Sequence, residues 1–128
     1  MDTRNDVEQF MLAADQEVHH KPTSTFSAQT GLYMNLIDEE YHELEEAFES
    51  RDLVEMADAC ADLIWVIQGL CHSTGIPLQQ VWDEVGRSNL SKISETGKII
   101  KREDGKVLKP ATYSPPNIKS IISSSNNR

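Results

Sequence analysis

Acidic side chains supply the chemistry in this sequence. Glu39, Glu40 and Glu43 stand close together, and Glu55, Asp58 and Asp62 follow at steps of three and four residues. On a helix, three- and four-residue steps bring side chains onto one face. Grouped carboxylates are hard oxygen ligands of the kind Mg²⁺ or Mn²⁺ prefers, and Mg²⁺ characteristically keeps waters and reaches across to substrate phosphates. Most acidic runs on helices are merely solvated faces. Position on the helical wheel decides between the two readings.

The elements that must position these acids are two long helices, expected over residues 27–48 and 53–72. At about 100° per residue, Leu32, Tyr33, Leu36, Ile37, Tyr41, Leu44, Ala47 and Phe48 form one apolar arc on the first of them, and Glu40 and Glu43 lie inside it. Asp38, His42 and Glu45 fall opposite, with Glu39 and Glu46 at the boundary. The second helix is apolar over most of its circumference and is expected to be buried nearly all round. Its acids Glu55, Asp58 and Asp62 occupy an arc of about 60°, with Gly69 on the same line. Asp52 suits its N-cap and Gly75 its C-terminal stop.

The link over residues 49–52 is so short that the helices must form an antiparallel hairpin. Residues equidistant from the turn then share a level, which pairs Glu46 with Glu55, Glu43 with Asp58, and Glu40 with Asp62. Buried carboxylates facing one another repel, and neither helix offers Lys or Arg at these levels. Cations must offset the charge.

The remaining elements follow from periodicity and breakers. Val7, Phe10, Met11, Ala14 and Val18 predict a first helix over 6–18, broken near Pro22, and Leu78, Val81, Trp82 and Val85 a fourth over 77–89. Ile99-Ile100, Asp104-Gly105 and Val107-Leu108 read as a small β-hairpin within a basic arm over 92–122. A short helical turn is expected over 117–122, and a disordered tail over 123–128. The expectation is an all-α four-helix bundle with a C-terminal hairpin or extended arm. Residues 1–122 would form one domain.

Composition narrows the partners. The chain has 128 residues, 21 acidic against 12 basic, for a net charge of -9. Such a field disfavours a nucleic-acid ligand. The basic residues Lys92, Lys98, Lys101, Arg102, Lys106 and Lys109 crowd the C-terminal third. Cys60 and Cys71 lie about 16 Å apart along one helix, too far to bridge. With no secretory pattern at the N-terminus and no membrane-length apolar run, a reduced cytoplasmic protein is expected. So small a core predicts support from a second copy.

Glu39-Glu40-Tyr41-His42-Glu43 followed by Glu55-Met56-Ala57-Asp58 resembles the E-E-x-x-E … E-x-x-D signature of the all-α NTP pyrophosphohydrolases. That superfamily takes in MazG-like enzymes, phosphoribosyl-ATP pyrophosphohydrolases and all-α dUTPases. Ala61-Asp62-Leu63-Ile64-Trp65 is similar to a further stretch of the group, so Asp58 and Asp62 both stand for the family aspartate. The segments 87–92 and 104–110 resemble a MazG-like subgroup that includes phage enzymes. A phage origin would make the host cytoplasm its location.

The resemblance implies the reaction NTP + H₂O → NMP + PPi, roughly two or three Mg²⁺ per site, and a homodimer or a dimer-of-dimers tetramer. Glu40, Glu43, Glu55, Asp58 and Asp62 would be metal ligands. Glu39 would be the general base, with Glu43 also in the catalytic set. Asn89, Lys92, Lys106 and Lys109 would meet the triphosphate. Trp65 could stack on the base, although an apolar helix tryptophan more commonly belongs to a core. Gly69 could open room for a nucleotide or equally mark close helix packing. A deoxynucleotide such as dGTP, dUTP or dCTP is the expected substrate.

Two other classes compete. Glu39-Glu40-Tyr41-His42 contains one E-x-x-H, as in di-iron carboxylate bundles, but that class needs the motif on two helices. A non-enzymatic helical interaction module would not need buried carboxylate rungs. The pair His19-His20 is read as solvated.

Overall fold

Helix signals dominate the chain, and the computed structural model, which describes residues 2–126, is all-helical with no sheet among those residues. In chain order the helices are α1 (Thr3–Ala13), α2 (Ala28–Glu49), α3 (Leu53–Thr74), α4 (Leu78–Leu90) and α5 (Ile118–Asn126). They divide into two compact units, Met1–Ile76 and Pro77–Arg128. The first unit holds α1 to α3, packed as a helical bundle.

That bundle closes around Val7 and Met11 of α1, both 0 % exposed, Tyr33 of α2 and Val66 of α3. Val18, Leu36, Ile37, Leu63, Trp65 and Leu70 pack against this centre. The chain enters and leaves α1 by specific hydrogen bonds. The Asp2 carboxylate accepts from Asn5 N at its start, and α1 ends at Ala13 rather than near residue 18. Asp15 turns into the left-handed region (φ 57°), so that Asp15 N bonds Leu12 O at 3.2 Å and Gln16 N bonds Met11 O at 2.9 Å. This paired closure satisfies the last carbonyls and reverses the chain. Val18 then reaches the core from a loop.

The α2–α3 turn uses the same device. Arg51 sits at φ 56°; its N–H bonds Phe48 O at 3.1 Å, and Asp52 N bonds Ala47 O at 3.0 Å. The Asp52 side chain meanwhile accepts from Glu55 N at 3.1 Å and caps α3. One residue thus closes one helix and opens the next. The far end of α3 stops at Gly75 (φ 74°), where a Cβ would overlap the Lys21 carbonyl.

α3 is buried along only part of its length. Contacts from α1 and its following loop fall on its later turns: Phe10 meets Trp65 edge-on, and His72 lies between Arg4 O and the amide of His19. Gln68, Gly69 and Cys71 to Thr74 are buried there. Earlier on the helix, Leu53 and Val54 are each 77 % exposed and Ile64 is 49 % exposed. The expectation of burial all round therefore fails for the first half of α3, which α1 does not reach. Both cysteines are free, Cys60 exposed and Cys71 buried.

In the second unit, α4 is joined to the C-terminal segment by polar bonds. Arg87 grips Glu84 through Nε and Nη2 (2.8 and 3.0 Å) and donates to Pro115 O at 3.1 Å, while Glu84 accepts from Asn117 N. These contacts pull the Glu84 carboxyl down to about 2. Ser91 bonds both Ser114 N and the Thr112 hydroxyl. Trp82, expected in the apolar stripe of α4, is 69 % exposed.

The expected hairpin shrinks to one antiparallel bridge, Lys101 with Val107. The turn itself is well bonded, with Arg102 paired to Asp104 and Asp104 accepting from Lys106 N. Ile99, Ile100, Val107 and Leu108 nevertheless remain between 36 % and 50 % exposed, so the flanks lack the apolar cover that a two-stranded ladder needs. The expected turn over 117–122 is instead α5, which runs on through Asn126 where a disordered tail was expected. Residues 127 and 128 lie outside the described residues. Among the described residues no helix is long and apolar enough to cross a membrane.

Candidate metal centre

Helix α2 turns Glu40 and Glu43 toward α3, and α3 presents Asp62 to them. One carboxylate oxygen from each lies within 4.8 Å of the others. This brings the expected rung of Glu40 and Asp62 together and adds Glu43 to it. Oε2 of Glu40 is shut off from solvent and has no hydrogen-bond partner among the described residues. Neither α2 nor α3 contains Lys or Arg, and no salt bridge among the described residues reaches the triad.

The electrostatic consequence is a set of carboxyls held against their preference. Burial, then the hydrogen-bonding and charged proximity of Glu43, then Asp62 and Asp58, raise Glu40 to about 7. Burial, then Asp58 and Glu43, also raise Asp62. Both shifts penalise negative charge that has no counter-charge nearby.

Toward the α2–α3 turn, a cleft of about 370 Å³ is lined by Glu43, Glu46, Ala47, Ser50, Glu55, Asp58 and Ala59. Four of its seven lining residues are acids, and Glu43 belongs both to the cleft and to the triad. Glu46 was paired with Glu55 in the hairpin register but was absent from the expected ligand set. That register pairing was the signal for it. Glu39 is exposed and belongs to neither grouping.

The other expected site residues divide by location. Trp65 is half-buried, and its ring meets Phe10 edge-on at 5.6 Å, so it contributes to α1–α3 packing. Tyr33 occupies the space beside Gly69, where any added Cβ would overlap its ring. Close packing, rather than room for a nucleotide, accounts for that glycine. His42 is exposed and its Nδ1 lies 2.8 Å from Asp38 O on its own helix, so the single E-x-x-H brings no imidazole to the acids.

Asn89, Lys92, Lys106 and Lys109 all belong to the second unit. Lys92 Nζ donates to Asn89 Oδ1 at 3.1 Å, and Lys106 sits on the exposed turn after Asp104.

The donor set suits a hard divalent cation. It is all oxygen, it is anionic, and it includes a buried Glu40 oxygen with no hydrogen-bond partner among the described residues. The model of the phosphoribosyl-ATP pyrophosphohydrolase family matches residues 5–89, well over half of the chain. The chain belongs to the phosphoribosyl-ATP pyrophosphohydrolase family. Members are pyrophosphohydrolases, hydrolases of acid anhydrides that typically depend on a divalent metal. The family match takes in most of α1, all of α2 and α3, and every acid of the triad and the cleft, and it ends before Lys92, Lys106 and Lys109. No curated protein shows significant similarity to the chain.

Proposed function

We propose that this protein hydrolyses a nucleoside triphosphate to the monophosphate and diphosphate at the α2–α3 acids, using Mg²⁺ or Mn²⁺. The observation that carries the reading is the convergence of Glu40, Glu43 and Asp62 within 4.8 Å, with no salt bridge to any of them among the described residues. Glu40, Glu43 and Asp62 would hold one ion, and Glu43, Glu55 and Asp58 a second, with Glu46 at the edge of the cleft. Ions bound there would neutralise phosphoryl oxygens and lower the pKa of a water. Glu39, exposed beside Glu40, takes the proton from the attacking water. By the family resemblance alone, Asn89, Lys92, Lys106 and Lys109 would bind phosphate.

The substrate is a free deoxynucleotide, with dGTP, dUTP and dCTP as candidates. Support comes from the resemblance of segments 87–92 and 104–110 to phage MazG-like proteins, and from the net charge of -9, which disfavours nucleic acid. The active form is a homodimer or tetramer. Phe48, Leu53 and Val54, between 63 % and 77 % exposed, supply an apolar surface for a second copy to cover.

Incubation with a panel of NTPs and dNTPs plus Mg²⁺, resolving monophosphate with pyrophosphate from diphosphate with phosphate, tests the reaction. Monophosphate and pyrophosphate are expected for at least one deoxynucleotide. Release of diphosphate and phosphate, or no metal-dependent product from any nucleotide, would overturn the reading.

A further inference from the structure

Helices α2 and α3 carry a second pattern, on the side of the hairpin away from the acids. Met34, Tyr41 and Phe48 recur on α2 at steps of seven, and Leu53, Cys60 and Ile67 recur at the same step on α3. All six are exposed, the five larger ones between 39 % and 77 %. Three residues after the first two on each helix stand Ile37, Leu44, Met56 and Leu63, apolar and half-buried. Such a seven-residue repeat keeps one line of a helix turned toward another helix over several turns.

The first unit offers nothing to cover this line. At about 100° per residue, Tyr41 lies about 160° round α2 from Glu43, and Cys60 about 160° round α3 from Asp62. Trp65, which meets α1 through Phe10, lies on the acid side, about 140° from Cys60. Helix α1 therefore packs on the opposite side of the hairpin. The seven-step face has no charged residue, in a chain of net charge -9. Its six exposed residues leave roughly 600 Å² of mainly apolar surface in water, close to the ~800 Å² that each partner of a stable complex covers.

The face also fits itself. Residues equidistant from the turn share a level, which sets Phe48 with Leu53, Tyr41 with Cys60, and Met34 with Ile67. The middle rung thus places a large ring beside the smallest side chain of the face. A second copy turned by 180° about an axis along the helices keeps these levels and lays each α2 over the other copy's α3. Tyr41 of each copy then enters the recess over Cys60 of the other. A two-fold across the helices would instead stack tyrosine on tyrosine and leave a gap between the cysteines.

We infer that two copies pack through this face, α2 of each upon α3 of the other, forming a four-helix layer from which both sets of acids open outward. The arrangement rests on the proposed homodimer for its occupant, and fixes the face and the axis.

Sedimentation equilibrium of the full chain should give twice the 14.4 kDa chain mass. Ile64, one turn after Cys60 on the same side of α3, is 49 % exposed within one copy. Ile64→Glu should raise the dimer's dissociation constant by at least about 100-fold, because the contact would bury an unpaired charge. Circular dichroism should show its helix content unchanged. Tyr41→Ala should weaken the dimer by about 10-fold or more. Leu12→Glu, at a site 58 % exposed on α1, should leave it intact. Diamide should not link the copies through Cys60, since this axis holds the two Cα atoms farther apart than the ~7 Å a disulfide bridges.

A monomer throughout the micromolar range, undiminished association of Ile64→Glu, or a dimer linked through Cys60 would overturn the inference. Association lost in Leu12→Glu and kept in Ile64→Glu overturns this face while the proposed homodimer stands. Nucleotide turnover by a monomer leaves the hydrolase reading intact, and a dimer that turns over no nucleotide sinks that reading alone.

Discussion

The edge of the Tyr33 ring occupies the space that a side chain at position 69 would need, and Tyr33 cannot easily yield because its hydroxyl donates to Gln16 Oε1 at 2.6 Å. An exposed helical glycine replaced by alanine would gain about 1 kcal/mol. Here the overlap reverses the sign, and Gly69→Ala should lose about 1–3 kcal/mol, as overpacked cores do. Denaturant unfolding measures the loss. The double variant Gly69→Ala/Tyr33→Leu should suffer less than the two single losses added together.

Glu43 links the triad to the cleft. Glu43→Gln should reduce turnover by at least about 100-fold while leaving the helical content intact. In EDTA the same variant should melt at a higher temperature than the parent, because one of three facing carboxylates has lost its charge. A lower melting temperature would show that the acids are not in mutual repulsion.

Without metal, stability should fall as the pH rises from about 4.5 to about 7. Glu40 holds its proton more tightly folded than unfolded, so its contribution is complete below 4.5 and is lost through its raised value near 7. Asp62 acts in the same direction. Glu84 and Asp104, whose carboxyls are lowered by Arg87 and Arg102, act in the opposite sense but only as the pH falls below the ordinary carboxylate range. Denaturant unfolding in EDTA across this range should show the slope, and Glu40→Gln should flatten it. Added Mg²⁺ or Mn²⁺ should reverse it, because metal binds the deprotonated acids.

Arg51 holds a left-handed conformation that costs an L-residue about 1 kcal/mol and a glycine almost nothing. Arg51→Gly should therefore raise the melting temperature by a few degrees. Asp15→Gly should do the same at the end of α1. Among the described residues neither side chain forms a salt bridge and neither lines the cleft, so turnover should be unchanged in both.

Much of the site could be read from residue spacing because a helical hairpin converts sequence distance into spatial level. Asp52, Gly75 and the wheel positions of Glu40 and Asp62 were sufficient to place the acids on facing helices. The end of α1 could not be read in this way. Its apolar spacing continues to Val18, and the residue that breaks it is an aspartate in a conformation usually reserved for glycine. The exposure of Leu53 and Val54 was equally hidden, since periodicity reports which residues are apolar and not how far a short neighbour such as α1 extends. The basic arm kept its tight turn but not its strands, because local turn chemistry is encoded in a few residues and ladder stability depends on what packs above it.

Asp52 both ends the turn and caps α3, so the phase of the α3 acids is counted from it. One residue inserted within α3 before Asp58 would swing Asp58 and Asp62 by about 100° about the helix axis and advance them by about 1.5 Å relative to that cap. Asp62 would then leave Glu40, although every carboxylate would still be present. A change in chain length inside the helix would thus silence the site with the ligands retained and only their phase lost.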